Sequence, residues 1–144
     1  MRIEDDIKLD YSDVLIRPKR STLGSRKDVR MKRKFTFRNY HSDIPDTTYY
    51  NYEGIPIMAS NMDGVGTFEM ADRLGELNVF TCLVKTYTVG ELVGYFDEQD
   101  PPAWRREYVA MSIGIKDEDQ KKFASVYEQV GENLKYVCID VANG

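Results

Sequence analysis

From Gly54 to the end of the chain, short apolar runs alternate with stretches of helical periodicity, and this alternation narrows the fold more than any other feature. Ile55–Ala59, Val79–Val84, Tyr108–Ile113 and Tyr136–Val141 are apolar runs of strand length. Between the first two, a helical stretch from Thr67 places Phe68, Ala71 and Leu74 on one face. Thr88 and Glu91 have capping-box spacing and open a helix with Leu92, Tyr95 and Phe96 turned inward. Pro101-Pro102 breaks the chain before the third run. Asp117–Val130 predicts a further helix, with Phe123, Val126, Tyr127 and Val130 on one side and Gly131 at its end. Strand and helix in strict alternation predict right-handed βαβ units on a parallel sheet covered on both faces. A doubly wound α/β sheet and a (β/α)8 TIM barrel both satisfy the pattern. A barrel takes about 250 residues, so 144 residues would supply an N-terminal arm and roughly the first half, strands 1–4. The expected division is arm and excursion over 1–54, then three βα units and a fourth strand over 55–144, within one domain. Such a half-barrel would leave strand edges that must pair with something.

Residues 1–37 read as a largely extended arm, in which KFTF (34–37) alternates as a short strand does. Residues 38–54, with Pro45, Gly54 and four tyrosines, read as a surface loop. Twenty Lys+Arg against twenty-four Asp+Glu give a net charge of −4, which argues against bulk attraction to nucleic acid or membrane. Arg17–Lys34 is locally basic, with nine Lys/Arg and one Asp, but has no interleaved aromatics. It is expected to be a solvated arm, or to contact a phosphorylated cofactor or a neighbouring subunit. No run approaches the ~20 apolar residues of a membrane span, and MRIEDDIKLD lacks the apolar core of a signal peptide. A reducing, cytoplasmic location with free thiols is expected, since Cys82 and Cys138 form no CxxC pair. With His41 the single histidine, a clustered zinc site is excluded and no metal is expected. A Ser-His-Asp triad through His41 is discounted, and neither GxGxxG nor a Walker A motif occurs.

Ligands of parallel α/β folds bind at the C-terminal strand ends. Ser60-Asn61-Met62-Asp63-Gly64, Lys85-Thr86-Tyr87, Ser112-Ile113-Gly114 and Asp140-Val141-Ala142-Asn143-Gly144 fall there. Small and polar residues at strand ends are also ordinary turn chemistry, and Asp63 before Gly64 is a case of it. Lys85 follows an apolar run directly, so it either holds an anion or moves a proton at the pocket mouth, or it snorkels. Asp140, flanked by Ile139 and Val141, is expected inside a strand and in need of a partner. Cys82 and Cys138 are expected to pack.

Three segments carry a family resemblance: KLDYSDVLIRPKRSTLGSR, GIPIMASNMDGVGTFEMA and YVCIDVANG. With them the chain resembles the IMP dehydrogenase/GMP reductase family over essentially its whole length, and DVANG resembles the reductase branch. The resemblance implies a TIM barrel, normally a homotetramer, and NADPH-dependent reductive deamination of GMP to IMP with release of ammonia. It implies cofactor contacts from Ser25, Arg26, Lys85, Asp140, Val141 and Ala142, with Lys85 also supporting deamination. By analogy with the dehydrogenases, it implies purine-nucleotide contacts from Ser60 and Met62. The family's nucleophilic cysteine, and a monovalent cation such as potassium, would belong to a segment beyond this sequence, so the 144 residues alone are expected to be inactive. This chain has NMDGVGT where the family usually has NMDTVGT, and Val84 and Thr86 stand where histidines commonly flank the lysine. An IMP dehydrogenase-like enzyme is the nearest rival, although Glu98–Glu107 leaves no room for its usual inserted domain pair. A non-catalytic nucleotide-binding half-barrel is the other alternative.

Overall fold

The structure, a computed structural model, describes residues 7, 9–37, 50–97 and 102–142. Strand β1 (Arg33–Phe37) pairs antiparallel with the first half of β2 (Tyr50–Ala59), from Arg33 opposite Gly54 to Phe37 opposite Tyr50. The second half of β2 then runs parallel to β3 (Val79–Cys82), which pairs in parallel with β4 (Val109–Ile113), and β4 with β5 (Tyr136–Ile139). The sheet order is β1-β2-β3-β4-β5. A doubly wound sheet reverses its strand order at a switch point. Here each new parallel strand is added beyond the last, and no reversal occurs among the described strands.

Helices α1 (Phe68–Glu76), α2 (Val89–Phe96), α3 (Ala103–Tyr108) and α4 (Asp117–Val130) lie between the parallel strands in sequence. Thr67 Oγ1 accepts from the Met70 N–H at 3.2 Å and starts α1. The Thr88–Glu91 capping box is present: the Thr88 N–H donates to Glu91 Oε2 at 2.7 Å, and the Glu91 N–H to Thr88 Oγ1 at 3.3 Å. On the helix-covered face, Ala71, Leu83, Leu92, Phe96, Val109, Met111 and Val126 form the larger core. On the opposite face Phe80, Cys82 and Ala110 are packed by Tyr52, Tyr108, Tyr136 and Cys138. Rings there form one cluster: Tyr52 of β2 meets Phe80 of β3 and Tyr108 at the end of α3, each at 5.9 Å, and Phe80 meets Tyr136 of β5 at 5.0 Å.

Several expectations need correction. Residues 50–54 belong to β2 and not to a surface loop, because β1 supplies their backbone partners; residues 38–49, and His41 with them, lie outside the described residues. The third strand is preceded by α3, which has no apolar stripe to announce it. It is held by Trp104 against Gly75 and by Arg105, which is buried and donates to the Tyr95 carbonyl at 2.9 Å. Asp140 lies just past β5, its N–H still donating to the Ile113 carbonyl at 2.8 Å. Tyr127 stacks on Phe123 but stays half exposed. Burial on both faces holds for β4, whereas Val137 and Ile139 of β5 are exposed on the side where α4 does not reach. Every described residue from 7 to 37 is exposed, with short 3₁₀ turns at Tyr11–Asp13 and Arg26–Asp28. Among the described residues no helix is long and apolar enough to cross a membrane.

Candidate functional site

The C-terminal ends of β3, β4 and β5 converge on a cleft of about 460 Å³, lined by Lys85, Gly114, Ile115, Lys116, Glu118, Asp119, Asp140, Val141 and Ala142. Lys85 opens the turn after β3, and Asp140 leaves β5 two strands away. Their side chains meet, Lys85 Nζ to Asp140 Oδ2 at 3.1 Å, with each less than half exposed. The partner that Asp140 requires is therefore Lys85. This hydrogen bond, a second from the Asn61 amide and the Lys85 charge hold the Asp140 carboxyl below the ordinary carboxylate range. The Asn61 contact is loose. Its Nδ2 is closed off from solvent and makes no other hydrogen bond.

Backbone conformation fixes the loop that carries Asn61. The Val65 and Gly66 N–H groups donate to the Met62 carbonyl at 3.0 and 2.8 Å, and Gly64 sits at φ +77°. Gly64 thus occupies a left-handed position that suits glycine. Gly66 lies flat on the end of β3; a Cβ there would come within 2.4 Å of the Cys82 carbonyl oxygen. The Val84 N–H donates to the Gly66 carbonyl at 2.9 Å and ties loop to strand.

Helix α4 starts at the cleft floor. Its first turn carries Asp117, Glu118 and Asp119, which offset the positive end of its dipole, and Asp119 Oδ2 accepts from the Lys116 N–H at 3.2 Å. The lining holds two cations, Lys85 and Lys116, against three anions, Glu118, Asp119 and Asp140. With Lys85 already paired, this cleft favours polar, hydroxyl-rich or amide groups over a phosphate.

The structure thus brings together Lys85, Asp140, Val141 and Ala142, as the sequence places them at neighbouring strand ends. Ser60 and Met62 are exposed beside the cleft and do not line it. Ser25 and Arg26 are exposed on the arm, and Ser25 is occupied as the cap of a 3₁₀ turn, its N–H donating to Asp28 Oδ2 at 3.0 Å. Asn143 and Gly144 lie outside the described residues. Burial, with Cys138 beside it, pushes the Cys82 thiol up to about 12, so Cys82 is a packing residue and no ready nucleophile. Sequence reasoning did not single out Asn61, although it stands between two residues that were. It also did not find Lys122, whose Nζ donates to the Lys85 carbonyl at 2.7 Å. Nothing in the helical pattern of 117–130 separates Lys122 from a solvated lysine. Among the described residues no group of three or more His, Cys, Asp or Glu could hold a metal.

Fold and site define a mixed α/β chain with a charged cleft at the ends of its parallel strands. No family model matches the chain. Among characterised proteins it is similar to GMP reductases along its whole length. The Caenorhabditis elegans GMP reductase is 45% identical over 143 residues, covering 99% of this chain and 37% of that protein. The enzymes of Serratia proteamaculans and Salmonella arizonae are 44% and 45% identical over all 144 residues, each covered to 38% of its length. The chain thus spans a little over a third of the curated relatives it matches.

Proposed function

We propose that this chain forms the N-terminal portion of a GMP reductase, a single TIM-barrel domain that deaminates GMP to IMP and ammonia at the expense of NADPH. The observation that carries the reading is the 44–45% identity to enzymes of that name over 143–144 residues. Two structural features support it. The parallel strands follow one another without reversal, and the face away from the helices is filled by large side chains, Tyr52, Phe80 and Tyr136, as a barrel interior is filled by side chains. The oligomer would be a homotetramer in the cytoplasm, and any potassium site would belong to parts of the protein outside this sequence.

The cleft suits the amide and ribose groups of a dinucleotide: the Asp140 carboxylate lines it and accepts from hydroxyls, with the Asn61 amide beside Asp140 as a further donor. Asp140, Val141, Ala142 and Lys85 would hold that part, while Ser25 and Arg26 on the basic arm would hold phosphate. NADPH supplies the hydride. Lys85 supplies a cationic proton donor fixed against Asp140, which keeps its ammonium oriented toward the cleft. Ser60 and Met62 would border the purine nucleotide. The nucleophilic cysteine would come from the remainder of the enzyme, so residues 1–144 alone would not turn over GMP.

The test is an assay of the complete polypeptide that carries this segment. GMP-dependent loss of NADPH with stoichiometric IMP and ammonia is expected. Oxidation of IMP with a nicotinamide cofactor, and no consumption of GMP, would establish the dehydrogenase reading instead.

A further inference from the structure

Lys122 stands at the middle of α4, where α4 packs on α2. Its side chain is half-buried, and its ammonium donates to the carbonyl of Lys85 at 2.7 Å. Two carboxylates face it, Glu91 from the first turn of α2 and Asp119 from the first turn of α4. Glu91 is already committed to the cap of α2 through the Thr88 N–H and hydroxyl. Asp119 is committed to the start of α4 and lines the cleft. One ammonium therefore joins the turn after β3, the cap of α2 and the start of α4, at the residue whose side chain pairs with Asp140.

We propose that Lys122 is a positioning residue for Lys85: by holding the Lys85 carbonyl it fixes the turn after β3 so that the Lys85 side chain stays against Asp140. The carbonyl belongs to the peptide that joins Lys85 to Thr86. Anchoring it fixes that planar unit and restricts ψ of Lys85, the soft angle that relates the peptide plane to the Lys85 Cα–Cβ bond. A half-buried ammonium costs free energy unless its donors are used, so an apolar residue would serve the helix contact alone equally well. The lysine is needed only if the carbonyl must be held.

This inference rests on the reading of Lys85 as a working residue of the reductase, and the test keeps the two apart. In the complete enzyme, Lys122→Met keeps the stem and removes the donor, whereas Lys122→Arg keeps a donor. For Lys122→Met, kcat for GMP is expected to fall about ten-fold, equivalent to ~1.4 kcal/mol, with KM for GMP within about two-fold. In parallel, the Asp140 carboxyl, followed by carbon NMR in enzyme labelled at aspartate and assigned with Asp140→Asn, is expected to titrate at higher pH as its hold on Lys85 loosens. The groups around it are Lys85, Asn61, Lys116, Glu118 and Asp119, of which the variant changes none. Lys122→Arg should restore both readouts.

An unchanged Asp140 titration in a folded Lys122→Met protein overturns the proposal, whatever the assay shows. A protein inactive toward GMP before any substitution overturns the reductase reading, and the titration still decides for or against Lys122. If Lys122→Met does not fold, Lys122→Gln, too short to reach the carbonyl, takes its place. Failure of both to fold assigns Lys122 to stability and overturns the positioning role.

Discussion

Lys85 and Asp140 form an ion pair across two strand ends, and the carboxyl is held low chiefly by the hydrogen bond from Lys85. Because the folded pKa is depressed, the pair is complete above the ordinary carboxylate value of about 3.9 and dissolves only as pH falls through the lower folded value. In a complete reductase carrying this segment, Lys85→Ala is expected to lower turnover at least ten-fold (~1.4 kcal/mol of barrier), and to raise the Asp140 carboxyl toward the ordinary carboxylate range, with the Asn61 contact left in place. Steady-state kinetics and NMR titration check the two halves, and near-normal turnover would remove Lys85 from the reaction. Gly66 makes a second residue-scale case. The atoms a Cβ would strike, the Cys82 oxygen at 2.4 Å and the Val84 nitrogen at 2.8 Å, are backbone and cannot swing aside. Gly66→Ala must therefore part the 60–66 loop from β3, at a cost of about 1–3 kcal/mol. Urea unfolding should show a lowered midpoint, and an unchanged one would mean that the loop yields freely.

Among the elements, those with a strong local signal were legible. The Asp117–Val130 helix and the Thr88–Glu91 cap follow from periodicity and spacing, and both occur as read. Thr88→Ala should cost about 1 kcal/mol in chemical denaturation. It should also flatten the acid side of the stability profile, since the Thr88 hydrogen bonds hold the Glu91 carboxyl low and their contribution is lost as pH falls through that lowered value. Helix α3 was not legible because tertiary contacts make it. Arg105 lies over the Tyr95 ring at 4.2 Å, donates to the Tyr95 carbonyl and reaches Asp72 at 3.4 Å, while the Tyr95 hydroxyl donates to the same carboxylate at 2.8 Å. No sequence window contains that cluster. Arg105→Met is expected to cost about 2 kcal/mol, toward the lower end for a buried charge because Asp72 keeps access to water. A loss under about 0.5 kcal/mol would show that the network carries no weight. The site divides in the same way: Lys85 and Asp140 are found from strand ends, whereas Asn61 and Lys122 join it through contacts that periodicity does not report.

For the whole molecule the decisive fact is where apolar surface is left uncovered. Ile139 is 65% exposed and Val137 38%, on the helix side of the last parallel strand. Leu15 and Ile16 of the arm are exposed almost completely. On the inner face, a pocket of about 370 Å³ between Phe35, Phe37, Tyr52, Met58, Phe80 and Tyr136 stays open. A β5 edge without a strand partner among the described residues, flanked by apolar side chains on its outer face, is a template for association. In a barrel the same surfaces would be covered by a helix after β5 and by strands that complete the inner layers. A polypeptide of residues 1–144 alone is therefore expected to self-associate, with a light-scattering mass well above 16.7 kDa that rises with concentration. Ile139→Lys should reduce that association, since a charge on the outer face opposes edge pairing and apolar stacking together. A strictly monomeric 144-residue chain at micromolar concentration would mean that these surfaces are closed in solution by the arm or by the residues outside the described set, and the case for completion by further strands would then lose its structural support.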